Sequence, residues 1–151
     1  MKRLLIVYHT QSGSTERLAA AAALGAGEER DVETVLLRAT EAGSAELRTA
    51  DAVLFCTPEN FGYLSGGMKD FLDRTFYAVT PEGRVRSYAV IVSAGNDGSG
   101  AVRQLQRILR GYPMRAVAEP LIVHGEPCDS DLAAAREIGA ALAAGLAIGM
   151  F

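Results

Sequence analysis

Leu4-Leu5-Ile6-Val7-Tyr8 runs directly into His9-Thr10-Gln11-Ser12-Gly13-Ser14-Thr15, and that junction passes directly into Glu16-Arg17-Leu18-Ala19-Ala20-Ala21-Ala22-Ala23. The first five residues are continuously apolar, the pattern of a short strand buried on both faces, so Arg3–Tyr8 is expected as a strand. The alanine-rich run that follows predicts a helix over Thr15–Leu24. A strand that feeds a hydroxyl-rich turn and then a helix start is a natural anion site. Free backbone N–H groups and the positive end of the helix dipole face the anion, and Ser/Thr hydroxyls add donors.

The same turn excludes several phosphate-binding classes. A nucleotide-hydrolysing P-loop needs Gly-Lys-Ser/Thr, and the segment has no lysine. A dinucleotide fingerprint needs three glycines at G-x-G-x-x-G spacing, and only Gly13 is present. A receiver domain places metal-binding carboxylates at this strand end, where the chain has His9 and Thr10. Two readings are left. One is a loop that grips a terminal monophosphate by hydrogen bonds alone, with about five or six donors at ~1.5–3 kcal/mol each. The other is a plain turn with a helix cap at Ser14 or Thr15.

Composition sets the outer bounds. A chain of 151 residues with 49% hydrophobic and 22% charged content is expected to form one domain over 1–151. The net charge of −3 gives no reason to expect nucleic acid as a partner. Met1-Lys2-Arg3 leads straight into a strand and does not read as a signal peptide. The apolar stretch from Ile138 to Phe151 is too short to span a bilayer. Cys56 and Cys128 are the only cysteines and form no C-x-x-C pair, which argues against a disulfide scaffold, zinc or an iron–sulfur cluster. Cys56 ends an apolar strand and reads as a small buried hydrophobe, whereas Cys128 lies in a loop. A cytoplasmic setting is the simplest expectation.

Strand and helix patterns alternate along the whole chain. Further strands are expected at Val32–Leu37, Ala52–Cys56, Ser87–Val92 and Arg115–His124, the last interrupted at Pro120. Helices are expected at Ser44–Arg48, Gly67–Tyr77, Ala101–Arg110 and Asp131–Ile148. Such alternation predicts an α/β fold: a doubly wound, five-stranded parallel sheet of order 2-1-3-4-5 with helices on both faces. In the third helix Met68, Phe71, Leu72, Thr75 and Phe76 share a face, and Lys69–Asp73 and Asp70–Arg74 pair outside it. In the fourth, Val102, Leu105, Ile108 and Leu109 face inward. The last helix is apolar nearly all round. Two covers fit its alanines: a second copy in a homodimer, or smooth packing against solvent.

In this topology the ligand sits beyond the C-terminal ends of the first, third and fourth strands. Those strands end in the three most unusual segments: Thr10–Thr15, then Thr57-Pro58-Glu59-Asn60-Phe61-Gly62-Tyr63-Leu64-Ser65-Gly66-Gly67, then Ser93-Ala94-Gly95-Asn96-Asp97-Gly98-Ser99-Gly100. Glycines allow main chain to approach a flat ring closely, and Phe61 and Tyr63 offer flat apolar surface. A phosphate site with two Gly-rich walls suits a phosphorylated aromatic cofactor.

These segments resemble the flavodoxin-like family, and more closely its FMN-dependent NAD(P)H:quinone and NADPH-dependent FMN reductase branches. The likeness rests on Tyr8–Thr15, on Pro58-Glu59-Asn60-Phe61-Gly62 with Met68-Lys69-Asp70-Phe71-Leu72-Asp73-Arg74, and on Ser93–Gly100. It covers essentially the full length. The resemblance implies that Thr10, Ser12, Gly13, Ser14 and Thr15 bind the FMN phosphate, with Gln11 in the same loop. It implies that Pro58, Glu59, Asn60, Phe61 and Gly62, with Tyr63, line the ring, and that Ser93, Ala94, Gly95, Asp97 and Gly98 approach its pyrimidine edge. No metal is implied. The chain departs from electron-carrier flavodoxins, which sandwich the ring between aromatics and are strongly acidic. It has no tryptophan, and its third loop has no aromatic residue, so Phe61 or Tyr63 alone could stack. One open ring face suits hydride arrival from NAD(P)H and delivery to a small acceptor such as a quinone. The alternative is a one-electron carrier that works through a protein partner.

His9 reads as a satisfied structural group more readily than as a proton donor, and His124 more so. Glu59 and Asp97 are candidates for the N–H edge of the ring, although Asp97 in Asn-Asp-Gly is equally a turn former. Arg103, Arg107 and Arg110 read as a solvated helix face.

Overall fold

The computed structural model describes residues 1–151, all of the chain. Its parallel strands are β1 (Lys2–Tyr8), β2 (Val32–Arg38), β3 (Ala52–Asn60), β5 (Arg86–Ala94), β6 (Met114–Ala116) and β7 (Leu121–His124), and β4 (Tyr63–Leu64) is a short antiparallel addition. The helices are α1 (Ser14–Ala26), α2 (Ser44–Thr49), α3 (Gly66–Val79), α4 (Ser99–Gly111) and α5 (Asp129–Ala147). The sheet order is β2-β1-β3-β5-β6, with β7 also on β5.

This is the doubly wound α/β arrangement expected from the alternation, with one difference in count. The fifth position is filled by two short segments. β6 pairs Met114–Ala116 with Arg86–Tyr88, and β7 pairs Leu121–His124 with Ile91–Ala94. The break falls at residues 117–120, where Pro120 has no N–H to give to a ladder.

The other difference lies at the end of β3, which runs on to Asn60 instead of stopping at Cys56. Pro58 still sits opposite Ser93 of β5, and Asn60 pairs with Tyr63 of β4 across a tight turn. Phe61 and Gly62 fill that turn with φ of 53° and 71°. The second loop is thus a β-hairpin, a turn in which both central residues are left-handed.

Successive strand residues point to opposite faces and build two cores. Leu5, Val7, Val53, Phe55, Val90 and Val92 join α2, α3 and α4 on one face. Leu4, Ile6, Leu54, Cys56 and Ile91 join α1 and α5 on the other. Each such aliphatic side chain contributes about 1.5–3 kcal/mol on leaving water. In α3 Met68, Phe71, Leu72 and Thr75 of the expected face are buried, Phe76 is half-buried, and both outer ion pairs form, each at 2.7 Å. Arg74 also donates to the carbonyls of Ala39 and Ala42, which fixes the segment after β2.

α1 and α5 pack backbone to backbone. A Cβ on Gly139 would lie 1.9 Å from the Ala22 carbonyl oxygen, and one on Gly25 would lie 2.0 Å from that of Arg136. Ala19, Ala22, Ala26, Ala135 and Ala143 fill this seam and are fully buried. Ala135 and Ala143 of α5 are therefore covered within the chain, while Ala133, Ala141 and Ala144 stay exposed on its outer side. No helix is long and apolar enough to cross a membrane.

Candidate functional site

A cavity of about 850 Å³ opens at the C-terminal edge of the sheet, within the usual range of about 300–1,000 Å³ for ligand sites. Four segments wall it. They are Gln11–Arg17 after β1, Pro58–Asn60 at the end of β3, Ser93–Gly95 at the end of β5, and Gly125–Glu126 after β7.

The first wall is a helix start left open. Gly13 occupies the position before α1 with φ of 101°, and no side chain caps the helix. Arg17 N–H makes the first intrahelical bond, to the Gly13 carbonyl at 3.1 Å. The amides of Ser14, Thr15 and Glu16 therefore precede the first turn's bonds. The cap expected at Ser14 or Thr15 does not form, because the chain turns one residue earlier through a left-handed glycine. Thr10 Oγ1 accepts from Gly13 N–H at 2.9 Å and so shapes the turn from behind. Ser12 and Gln11 are exposed, Ser14 is half-buried and Thr15 is buried.

Each wall is tied to the next. Asn60 Nδ2 donates to Gln11 Oε1 at 2.6 Å, which joins the first two walls. Glu59 reaches the start of α4, where its carboxylate accepts from Gly98 N–H at 2.9 Å and Ala101 N–H at 3.0 Å. Gly125 N–H donates to the Ala94 carbonyl at 2.8 Å, and His124 Nε2 lies 2.8 Å from the Asp97 carbonyl oxygen. The ring closes where Arg17 Nη1 stands 3.6 Å from Glu126 Oε1, an ion pair too long for a hydrogen bond.

Eleven of the residues expected at the site line this cavity: Gln11, Ser12, Gly13, Ser14, Thr15, Pro58, Glu59, Asn60, Ser93, Ala94 and Gly95. Thr10, Phe61, Gly62, Tyr63, Asp97 and Gly98 lie outside the lining. The hairpin explains the aromatics. Phe61 stands at its tip, fully exposed, while Tyr63 turns inward against the core. Asp97 is a turn former: its carboxylate accepts from Ser99 N–H at 3.2 Å and from Ser99 Oγ at 2.7 Å. Those bonds hold its pKa below the ordinary carboxylate value.

Four lining residues escaped the sequence reading: Glu16, Arg17, Gly125 and Glu126. Gly125 carried a readable signal, since it ends the last strand at the same sheet edge. Glu16 accepts from Tyr8 Oη and Arg38 Nη2, each at 3.2 Å, and the Arg38 guanidinium also lies over the Tyr8 ring.

His9 departs from the satisfied structural role expected of it. Its N–H donates to the Cys56 carbonyl, and its ring presses on the start of α3, where a Cβ on Gly67 would lie 2.3 Å away. Yet Nδ1 is buried with no partner. Burial and the nearby Arg38 charge lower its pKa. Cys56 is fully buried and burial pushes its thiol well up, whereas Cys128 is exposed. No group of three or more His, Cys, Asp or Glu side chains is placed to hold a metal ion.

Several known proteins are similar to this chain. "NAD(P)H dehydrogenase (quinone)" from Syntrophus aciditrophicus (strain SB) is 30% identical, over 96% of this chain and 85% of its own. A flavodoxin from the domain Archaea superposes with a TM-score of 0.86 at 23% identity, covering 95% of this chain and 98% of its own. A WrbA-like flavodoxin from Agrobacterium tumefaciens gives 0.80 at 23% identity, covering 99% of each. Residues 1–126 match the sequence model of the NADPH-dependent FMN reductases. A flavodoxin-like sheet with an uncapped helix start at its ligand edge, matched in this way, makes the chain a member of the NADPH-dependent FMN reductase family.

Proposed function

We propose that the protein is an FMN-dependent oxidoreductase that takes its electrons from NAD(P)H and passes them to a small acceptor such as a quinone. One observation carries the reading. The uncapped start of α1 opens, with the hydroxyls of Ser12 and Ser14, into a cavity large enough for a phosphorylated ring compound. Family membership and the quinone-reductase relative support it.

The residues present fit FMN. The amides of Ser14, Thr15 and Glu16, with the hydroxyls of Ser12 and Ser14, would hold the phosphate. Pro58–Asn60 and Ser93–Gly95 would hold the ring, largely through main chain. When bound, FMN supplies the redox chemistry, the acceptance and release of a hydride. The protein's part is to bind, orient and leave access. No aromatic side chain lines the cavity, so a bound ring would have no aromatic cover from the lining and would stay accessible to a second flat molecule. Glu59 is engaged with the Gly98 and Ala101 amides and thereby ties the second wall to the start of α4, just beyond the third. The exposed Arg103, Arg107 and Arg110 remain a solvated face of α4. A reducing, cytoplasmic setting agrees with the two free thiols.

A one-electron carrier of the flavodoxin type is the rival, and the archaeal flavodoxin's close superposition favours it. Steady-state oxidation of NADPH by FMN-loaded protein, with a soluble quinone as acceptor, separates the two. Sustained turnover is expected. Loaded protein that neither NADH nor NADPH reduces, but a protein reductase does, would establish the carrier instead.

A further inference from the structure

The ring of ties around the cavity is uneven. Three of its joints are hydrogen bonds of 2.6–3.0 Å, and the fourth is the loose pair of Arg17 and Glu126. Both partners line the cavity, with side chains 48% and 87% exposed. Arg17 is the one cation among the fifteen lining residues. The carboxylates there are not alike. Glu16 is held by Tyr8 and Arg38, and Glu59 by two amides, whereas Glu126 has only Arg17.

Helical side chains lean toward the helix N-terminus, so Arg17, in the first turn of α1, leans toward the open amides. An anion at those amides would therefore compete with Glu126 for the same guanidinium. A phosphate brings about two negative charges and three acceptor oxygens, against the single charge of a well-solvated carboxylate. The exposed ion pair is weak enough to exchange.

We propose that Arg17 and Glu126 form an exchangeable charge latch over the phosphate end of the cavity, in which a ligand phosphate takes Arg17 from Glu126. Arg17 is then a positioning residue that selects phosphorylated ligands, and Glu126 is its resident competitor. The inference rests on the proposed phosphate position at α1 and adds a charged element to a grip built otherwise from neutral donors.

The test compares FMN with riboflavin, which has the same ring and no phosphate, by fluorescence titration of apoprotein at several salt concentrations. Arg17→Gln is expected to weaken FMN binding about tenfold and to flatten its salt dependence. Glu126→Gln is expected to tighten FMN about threefold, the scale of one exposed ion pair. Riboflavin affinity should move in neither variant. FMN affinity unchanged or weakened by E126Q would overturn the latch and make the pair a simple strap. An equal shift of both flavins in R17Q would overturn it as well. A wild-type protein that binds no flavin would sink the proposed function instead. The latch is then read with inorganic phosphate through the amide resonances of Ser12–Thr15. Tighter phosphate binding in E126Q would sustain it, and no phosphate response in either protein would end it.

Discussion

Two helices begin at the same edge of the sheet, each behind a left-handed glycine, and they are finished differently. α4 starts after Gly98, and the Glu59 carboxylate, 39 residues away in sequence, accepts from its Gly98 and Ala101 amides. α1 starts after Gly13, whose own amide is taken by Thr10 Oγ1, and no side chain reaches the amides of Ser14, Thr15 and Glu16. The fold supplies one helix start with an anion of its own and leaves the other open. The carboxylate at α4 shows the kind of group that suits an open helix start: negative, with two or more acceptor oxygens.

The contrast is sharpest at the two glycines. A Cβ on Gly98 would lie 2.4 Å from Ile122 Cγ2, whereas one on Gly13 would meet nothing within 4 Å. Gly98→Ala should therefore cost backbone strain and a displaced neighbour, about 2–4 kcal/mol in all. Gly13→Ala should cost about 1–2 kcal/mol from strain alone. Urea denaturation of the two variants checks this, and equal losses would mean that the two helix starts are not differently packed.

Removing the resident anion comes next. Glu59→Ala should lower stability by about 1–2 kcal/mol, because the Gly98 and Ala101 amides lose their acceptor. An unchanged denaturation midpoint would show that water replaces the carboxylate without loss, and the supposed difference between the two helix starts would shrink with it.

The smallest effect concerns His9, which links the α1 loop to the start of α3. Its folded-state pKa lies below the ordinary value, so the unfolded chain binds the proton more readily. The His9 contribution is complete above about pH 6.5 and is lost as the pH falls from there toward the lower folded-state value. The urea midpoint of the wild type should decline over that interval more than that of His9→Asn. Parallel declines would show that the buried Nδ1 is not the cause.

What could be read from the chain, and what could not, follows the range of the interactions. The buried run of β1, the alternation of elements and the break at Pro120 are local signals, and they place the sheet order and all five helices to within two residues at every boundary. The hairpin at the end of β3 gave no such signal. Pro58 and the glycines beyond it read as a loop, and a phenylalanine at the first left-handed position of the turn is the reverse of the usual Asn-Gly. The walls themselves were visible, since Gln11–Thr15, Pro58–Asn60 and Ser93–Gly95 stand out by composition. Their ties were not. Glu59 at α4 and Arg17 with Glu126 join residues 39 and more positions apart, and no pattern of spacing announces such partners.

The glycine seam between α1 and α5 gives the rear of the molecule a say in what happens at its mouth. With Gly139 and Gly25 in backbone contact, α1 cannot retreat from the sheet, and its free end is held against whatever it grips. Residues 129–147 lie beyond the family-matched stretch and line none of the cavity, yet they set the anvil on which it is built. A bulkier side chain in that seam would be felt at the far end of α1, as a looser hold on the phosphate proposed to bind there.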